Sequence, residues 1–166
     1  YAAEMYSAVV GLRLGLKVYP LRFSNVYGEG CENKGSVIAK MTKEAKLDGV
    51  INIFGDGEQT RDFISVSDVC SAILSIAKSS LKSGEVFQIC TGNEITILEI
   101  AKKIKMDIET FHRREVNFSF KNANPNEVIR NFGDPSKARE LLGWSANVDL
   151  KSGITDVVNY IFRAKK

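Results

Sequence analysis

A chain of 166 residues with 44% apolar content can bury the core of one compact domain, or part of a larger one, which excludes the disordered and fibrous classes. Its 23 basic and 20 acidic residues are interspersed, not blocked, and leave a net charge of +3, so no nucleic-acid partner is expected. Three cysteines (Cys31, Cys70, Cys90) without Cys-x-x-Cys spacing argue for reduced thiols over disulfides or a metal site, and the lack of a long apolar run or signal-peptide pattern points to a cytoplasmic location with no membrane partner.

In chain order, residues 1–15 have helical composition, with an apolar face at Met5, Val9, Leu12 and Leu16 and a stop at Gly15. An extended, buried segment follows from Val18 to Phe23. A second helix is predicted from Ser36 to Leu47, with Val37, Ile38, Met41 and Ala45 inward and Gly49 as its C-terminal stop. Val50 to Phe54 reads as a short strand leading into the Gly55-Asp56-Gly57 turn. Phe63 to Val66 is extended, and Ser65 or Ser67 caps a helix from Asp68 to Lys78 that buries Val69, Ala72, Ile73 and Ile76.

Glu85 to Cys90 reads as a second buried strand, and Thr96-Ile97-Leu98-Glu99 as a capping box opening a helix through Lys105. The Asn-rich stretch from Glu115 to Phe132, containing Pro125, is expected to be a mobile loop. Asp134-Pro135 and Gly143 bracket a short helix from Ser136 to Leu142, Trp144 is assigned to the core, and His112 to solvent. Lys165-Lys166 is read as a solvated tail. Strands alternating with helices give an α/β class, with parallel-sheet strands near Val18 to Phe23 and Val86 to Cys90.

Two stretches carry most of the functional information. One is Leu21-Arg22-Phe23-Ser24-Asn25-Val26-Tyr27-Gly28; the other runs Gly55-Asp56-Gly57-Glu58-Gln59-Thr60-Arg61-Asp62-Phe63-Ile64-Ser65-Val66-Ser67-Asp68-Val69. An Arg in the second offers a permanently charged planar fork that matches phosphate oxygens, and Arg61 is the strongest candidate site residue. The alternative is a turn-holding pair with Asp62 or Asp56. Asp62 is assigned to structure. Asn25, just past a strand end where ligands lie in open α/β sheets, brings both a donor and an acceptor; it could also simply close the turn before Tyr27-Gly28.

Together these stretches resemble the NAD-dependent nucleotide-sugar epimerases and dehydratases of the extended short-chain dehydrogenase/reductase family. The likeness implies a remnant of a Rossmann-type parallel sheet (residues 1–27 and 64–91) plus the smaller α/β substrate-binding domain (28–63 and 92–166). It also implies that Arg61 contacts a substrate diphosphate and Asn25 the substrate, that Glu127 meets the ribose hydroxyls, and that Val37, Phe54 and Gln88 neighbour uracil, ribose or phosphate. For Val37 and Phe54 core packing is an equal reading. Phe23, Ser24 and Val26 would pass the nicotinamide of NAD.

Two departures from the family stand out. The Gly-rich dinucleotide loop and the Tyr-x-x-x-Lys pair are not found; Tyr1 is followed by Met5 where that Lys would stand, so no catalytic residue is assigned in this chain. The family's late Arg-Pro-Gly-Asp/Glu is here Asn124-Pro125-Asn126-Glu127, so that either Arg113, Arg114 or Arg130 replaces the lost Arg or the substrate differs. The expected function is therefore the C-terminal, substrate-binding portion of such an enzyme, inactive by itself and homodimeric when full length. The other reading is a non-catalytic nucleotide-sugar binding or assembly module of the same fold.

Overall fold

The computed structural model describes residues 1–163, Glu32 by its backbone alone; the Lys165-Lys166 tail lies outside the described residues. The elements in order are α1 (Ala2–Leu14), β1 (Leu21–Phe23), β2 (Asn25–Tyr27), a short 3-10 turn (Cys31–Asn33), α2 (Val37–Asp48), β3 (Val50–Phe54), β4 (Thr60–Arg61), β5 (Phe63–Ser65) and α3 (Val66–Lys78). Then follow β6 (Phe87–Ile89), β7 (Ile95–Thr96), α4 (Ile97–His112), β8 (Asn117–Lys121), β9 (Arg130–Asn131), α5 (Ser136–Leu142) and α6 (Leu150–Arg163).

The two segments read as parallel-sheet strands do pair in parallel, Leu21 with Phe87 and Phe23 with Ile89. At Ser24 the chain changes partner. The Ser24 N–H still donates to the Ile89 carbonyl, whereas the Asn25 N–H donates to the Asp62 carbonyl, and β2 continues beside β5 with Asn25 opposite Phe63. Asn25 thus sits where two strand pairs part, the kind of position at which open α/β sheets leave a crevice.

Two apolar cores result. One joins β1, β5 and β6 to α3 through Ile64, Val69, Ala72, Phe87 and Ile89, and also takes in Ala138 and Trp144. The other is built by α2, α4 and α6 around β3, with Ile38, Ile51, Ile53, Ile100, Ile104 and Val157 each shielded from solvent. A buried network reinforces it: the Lys103 ammonium donates to Asp107 (2.5 Å) and to the Thr155 hydroxyl (2.7 Å), and Thr155 donates to Asp107 (2.9 Å), tying α4 to α6.

The caps form as the sequence predicts. Ser65 caps α3, accepting from the Ser67 N–H, and Thr96 and Glu99 form the reciprocal box that opens α4. Gly49 ends α2 in the left-handed conformation (φ 69°). Trp144 is buried, and its indole N–H donates to the Ser71 hydroxyl at 2.8 Å.

Several expectations are corrected. The stretch from Glu115 to Phe132 is not one loop, because Asn117–Lys121 forms β8, paired in parallel with all of β3, and Arg130–Asn131 pairs with β4. The alternation Asn117-Phe118-Ser119-Phe120-Lys121 has the period of a strand, which the surrounding Asn and charged residues masked. Helix α4 runs on to His112, beyond Lys105. His112 is not simply solvated: it stacks on Phe162 with centroids 4.2 Å apart and bonds Asn159 at 3.1 Å. Ile73 is 44% exposed, because it lies one step round α3 from buried Ala72, on a flank that no described element covers. The apolar face expected on α1 at Met5, Val9, Leu12 and Leu16 does form and is exposed, and among the described residues the helix is anchored to β1 by a bidentate Arg22–Glu4 pair (2.8 and 2.7 Å).

Candidate functional site

Helix α2 and strand β3 run back to back through the Gly49 turn, so one face of each meets across a cleft. On the helix, Val37, Lys40, Met41 and Glu44 share a face at helical spacing; on the strand, Asn52 and Phe54 share one at a spacing of two. Arg61 from β4, Gln59, Ile97 at the start of α4 and Glu127 complete the wall of a cavity of about 180 Å³. The turn leading into β4 needs glycine at position 57. Its φ is 81°, and a Cβ would stand 3.0 Å from both the Ile53 Cγ2 and the Leu98 Cβ.

Arg61 is 13% exposed, and its guanidinium meets the Glu127 carboxylate at 2.5 Å while also donating to the Thr60 carbonyl at 2.8 Å. Its partner is neither Asp62 nor Asp56. Asp62 is fully buried and accepts from the Thr91 N–H (3.1 Å), the Thr91 hydroxyl (2.8 Å) and the Gly92 N–H (2.8 Å), a structural arrangement; Asp56 accepts from the Glu58 N–H in the turn. At the other end of the cavity Glu44 accepts from the Asn52 backbone N–H at 3.2 Å. The Lys40 ammonium lies 3.9 Å from Glu44 and 5.2 Å from the centre of the Phe54 ring.

A second cavity, of about 450 Å³, shares Val37 with the first and is lined by Ser24, Asn25, Val26, Tyr27, Ser36 and Phe63 among others. Asn25 donates one amide N–H to the Asp62 carbonyl at 3.0 Å. The Ser24 and Ser36 hydroxyl oxygens are buried with no hydrogen-bond partner among the described residues. Orphaned polar atoms of this kind are costly unless something binds them. Burial, and then Asp68, push the Tyr27 phenol up to about 12, which keeps it protonated.

The structure therefore brings Val37, Phe54, Arg61 and Glu127 to one cavity and Ser24, Asn25 and Val26 to the adjoining one. Gln88 and Phe23 line neither. Gln88 accepts from the Asp134 N–H at 3.0 Å, and the Phe23 ring is half exposed. None of the three arginines considered as replacements reaches the Arg61 cavity. Arg130 lies beside Thr60 in register and makes a bidentate pair with Glu94 (3.0 and 2.5 Å), on the opposite face of β4 from Arg61. Arg114 donates to the Leu47 carbonyl, and Arg113 ends α4 at φ 49°. Sequence reasoning missed Lys40, although its spacing of three from Val37 and four from Glu44 placed it on the same helix face.

A cleft beside a parallel-strand junction, lined by a sheltered arginine and an aromatic ring, sits here in a mixed α/β fold. The chain belongs to the family of NAD-dependent nucleotide-sugar epimerases and dehydratases: the family model described as GDP-mannose 4,6 dehydratase matches residues 3–157. A putative UDP-glucose 4-epimerase of Methanocaldococcus jannaschii is 37% identical over 97% of this chain and 51% of its own length. The crystal structure of the Thermotoga maritima UDP-glucose 4-epimerase with UDP-glucose superposes with a TM-score of 0.82 at 35% identity, over 98% of this chain and 52% of that one. The protein MoeE5, solved with UDP-glucuronic acid and NAD, gives 0.77 at 29% identity over 89% and 48%. The chain spans about half the length of the relatives it matches. The expected α/β class with a Rossmann-type sheet is the fold of these relatives.

Proposed function

We propose that this chain is the part of an NAD-dependent nucleotide-sugar epimerase or dehydratase that grips the substrate, and that its ligand is a UDP-sugar. The observation that carries this reading is Arg61, a sheltered guanidinium on a cavity that also presents the Phe54 ring and the apolar side chains of Val37, Met41 and Ile97. The pyrophosphate lies against Arg61, the base near Phe54 and Val37, the ribose hydroxyls on Glu127, and the sugar runs past Asn25 into the second cavity. Glu127 leaves Arg61 as the diphosphate arrives, exchanging an ion pair for ribose hydrogen bonds. UDP is favoured over other nucleotides because the relatives named above are described as UDP-glucose epimerases or were solved with UDP-sugars.

Ser24 fits the edge of a cofactor site, since its buried hydroxyl has no partner among the described residues. Phe23, Ser24 and Val26 would border the nicotinamide; Gln88, on the neighbouring strand, is assigned more distantly to the substrate. The chemistry that NAD supplies when bound is acceptance and return of a hydride at the sugar. This chain's own residues bind and orient the sugar nucleotide, and without a Tyr-x-x-x-Lys pair the chain turns nothing over by itself. Residues 1–27 and 64–91 belong to the cofactor domain, and 28–63 and 92–166 to the substrate domain. The exposed apolar face of α1 supports pairing into a homodimer in the full-length protein.

Calorimetric titration of the chain with UDP tests the reading. Binding is expected, with a loss of at least about tenfold in Arg61→Met, the scale of a charge-assisted bidentate contact. Equal affinity in both proteins would refute it.

A further inference from the structure

The cavity walls carry two cations, Lys40 and Arg61, and two anions, Glu44 and Glu127, so the lining is electrically balanced. A diphosphate brings net negative charge into this balance. Arg61 alone, once released from Glu127, offers a single fork. Arg114 and Arg130 are engaged elsewhere, with the Leu47 carbonyl and with Glu94, and Arg113, at the far end of α4, does not line the cavity.

We infer that Lys40 supplies the second positive charge to the diphosphate, swinging from Glu44 and Phe54 towards Arg61 when a nucleotide diphosphate enters. The inference rests on the assignment of this cavity to a nucleotide. Three features of Lys40 support it. Its side chain is about half exposed (53%) and free to turn. Its contact to Glu44, at 3.9 Å, is longer than a hydrogen bond, and among the described residues its ammonium has no hydrogen-bond acceptor. Glu44 already accepts from the Asn52 N–H and is not stranded when Lys40 moves away. The ammonium lies over Phe54, the ring proposed to neighbour the base. Nucleotide entry therefore displaces it from the ring and gives it the phosphate oxygens in exchange. A lysine acts here as a mobile point charge, where a rigid arginine fork would have had to be positioned in advance.

The test compares UDP with uridine, which has the same base and ribose but no phosphate, by calorimetric titration of the 166-residue chain and its Lys40→Met, Lys40→Arg and Arg61→Met variants. Expected is an affinity loss of about tenfold for UDP in Lys40→Met, uridine affinity unchanged, and UDP affinity largely retained in Lys40→Arg. Unchanged UDP affinity in Lys40→Met, or equal losses for UDP and uridine, would overturn the inference. If Arg61→Met weakens UDP while Lys40→Met does not, the inference alone fails. If the parent chain binds neither UDP nor uridine, the assignment of the cavity falls and takes the inference with it. Since Lys40 is half exposed, neither of its substitutions removes core packing, and unfolding midpoints equal to the parent's confirm that the comparison is of binding.

Discussion

Replacing Asp62 by alanine removes a buried carboxylate that gathers three donors, the Thr91 N–H and hydroxyl on one oxygen and the Gly92 N–H on the other. Each hydrogen bond to a charged group contributes about 1.5–3 kcal/mol, and contributions within one network are not additive, so the expected loss is about 3–5 kcal/mol. That is a large share of the roughly 5–15 kcal/mol by which folded domains are stable. Asp62→Asn keeps the oxygen that serves Thr91 but turns an amide donor toward the Gly92 N–H, and should cost about 2 kcal/mol. The consequence extends to the site, because the backbone carbonyl of Asp62 receives both the Asn25 N–H and its side-chain amide. Urea unfolding followed by circular dichroism reads the effect as a fall in midpoint at constant slope. A loss below about 1 kcal/mol in Asp62→Ala would refute the argument that this carboxylate fixes the junction between β5 and the Thr91-Gly92 turn.

Trp144 is the chain's only tryptophan, and its burial against Ser71 predicts blue-shifted emission that moves red on unfolding. Trp144→Ala should cost about 3–5 kcal/mol, measured by the same urea titration. Glu94 has its pKa held below 4.5 by hydrogen bonds from Arg130 and then Thr60. A carboxylate lowered in the folded state adds stability that is present above its unfolded value and is lost as pH falls through the folded one. Thermal midpoints recorded from pH 6 downward should therefore decline less below 4.5 in Glu94→Gln than in the parent. An identical decline would show that the pair at the surface contributes nothing.

How much was legible in the sequence depended on whether the signal was local. The capping box at Thr96, the Ser65 cap and the glycine stops are chemistry between near neighbours, and each formed as read. The parallel pair β1–β6 was legible from apolar runs. Strand β8 was not, since it is held by pairing with β3, distant in sequence, and its own composition resembles a loop. Arg61 was found through its motif, but its actual partner, Glu127, belongs to a stretch whose path was read as irregular. Lys40 was not legible as a site residue because α2 advertises itself in the sequence by its apolar positions, and only the packing of β3 beside it turns the Lys40 face into a cavity wall. The Ser24 and Ser36 hydroxyls could not be recognised in advance; an orphaned polar atom exists only once the surrounding chain has buried it.

The most direct test of the central claim is a crystal structure of this chain grown with UDP. It should show the pyrophosphate within hydrogen-bond distance of the Arg61 guanidinium, the uracil beside Phe54 and Val37, and Glu127 turned from Arg61 to the ribose. UDP bound elsewhere, with the Arg61–Glu127 pair intact, would contradict the account.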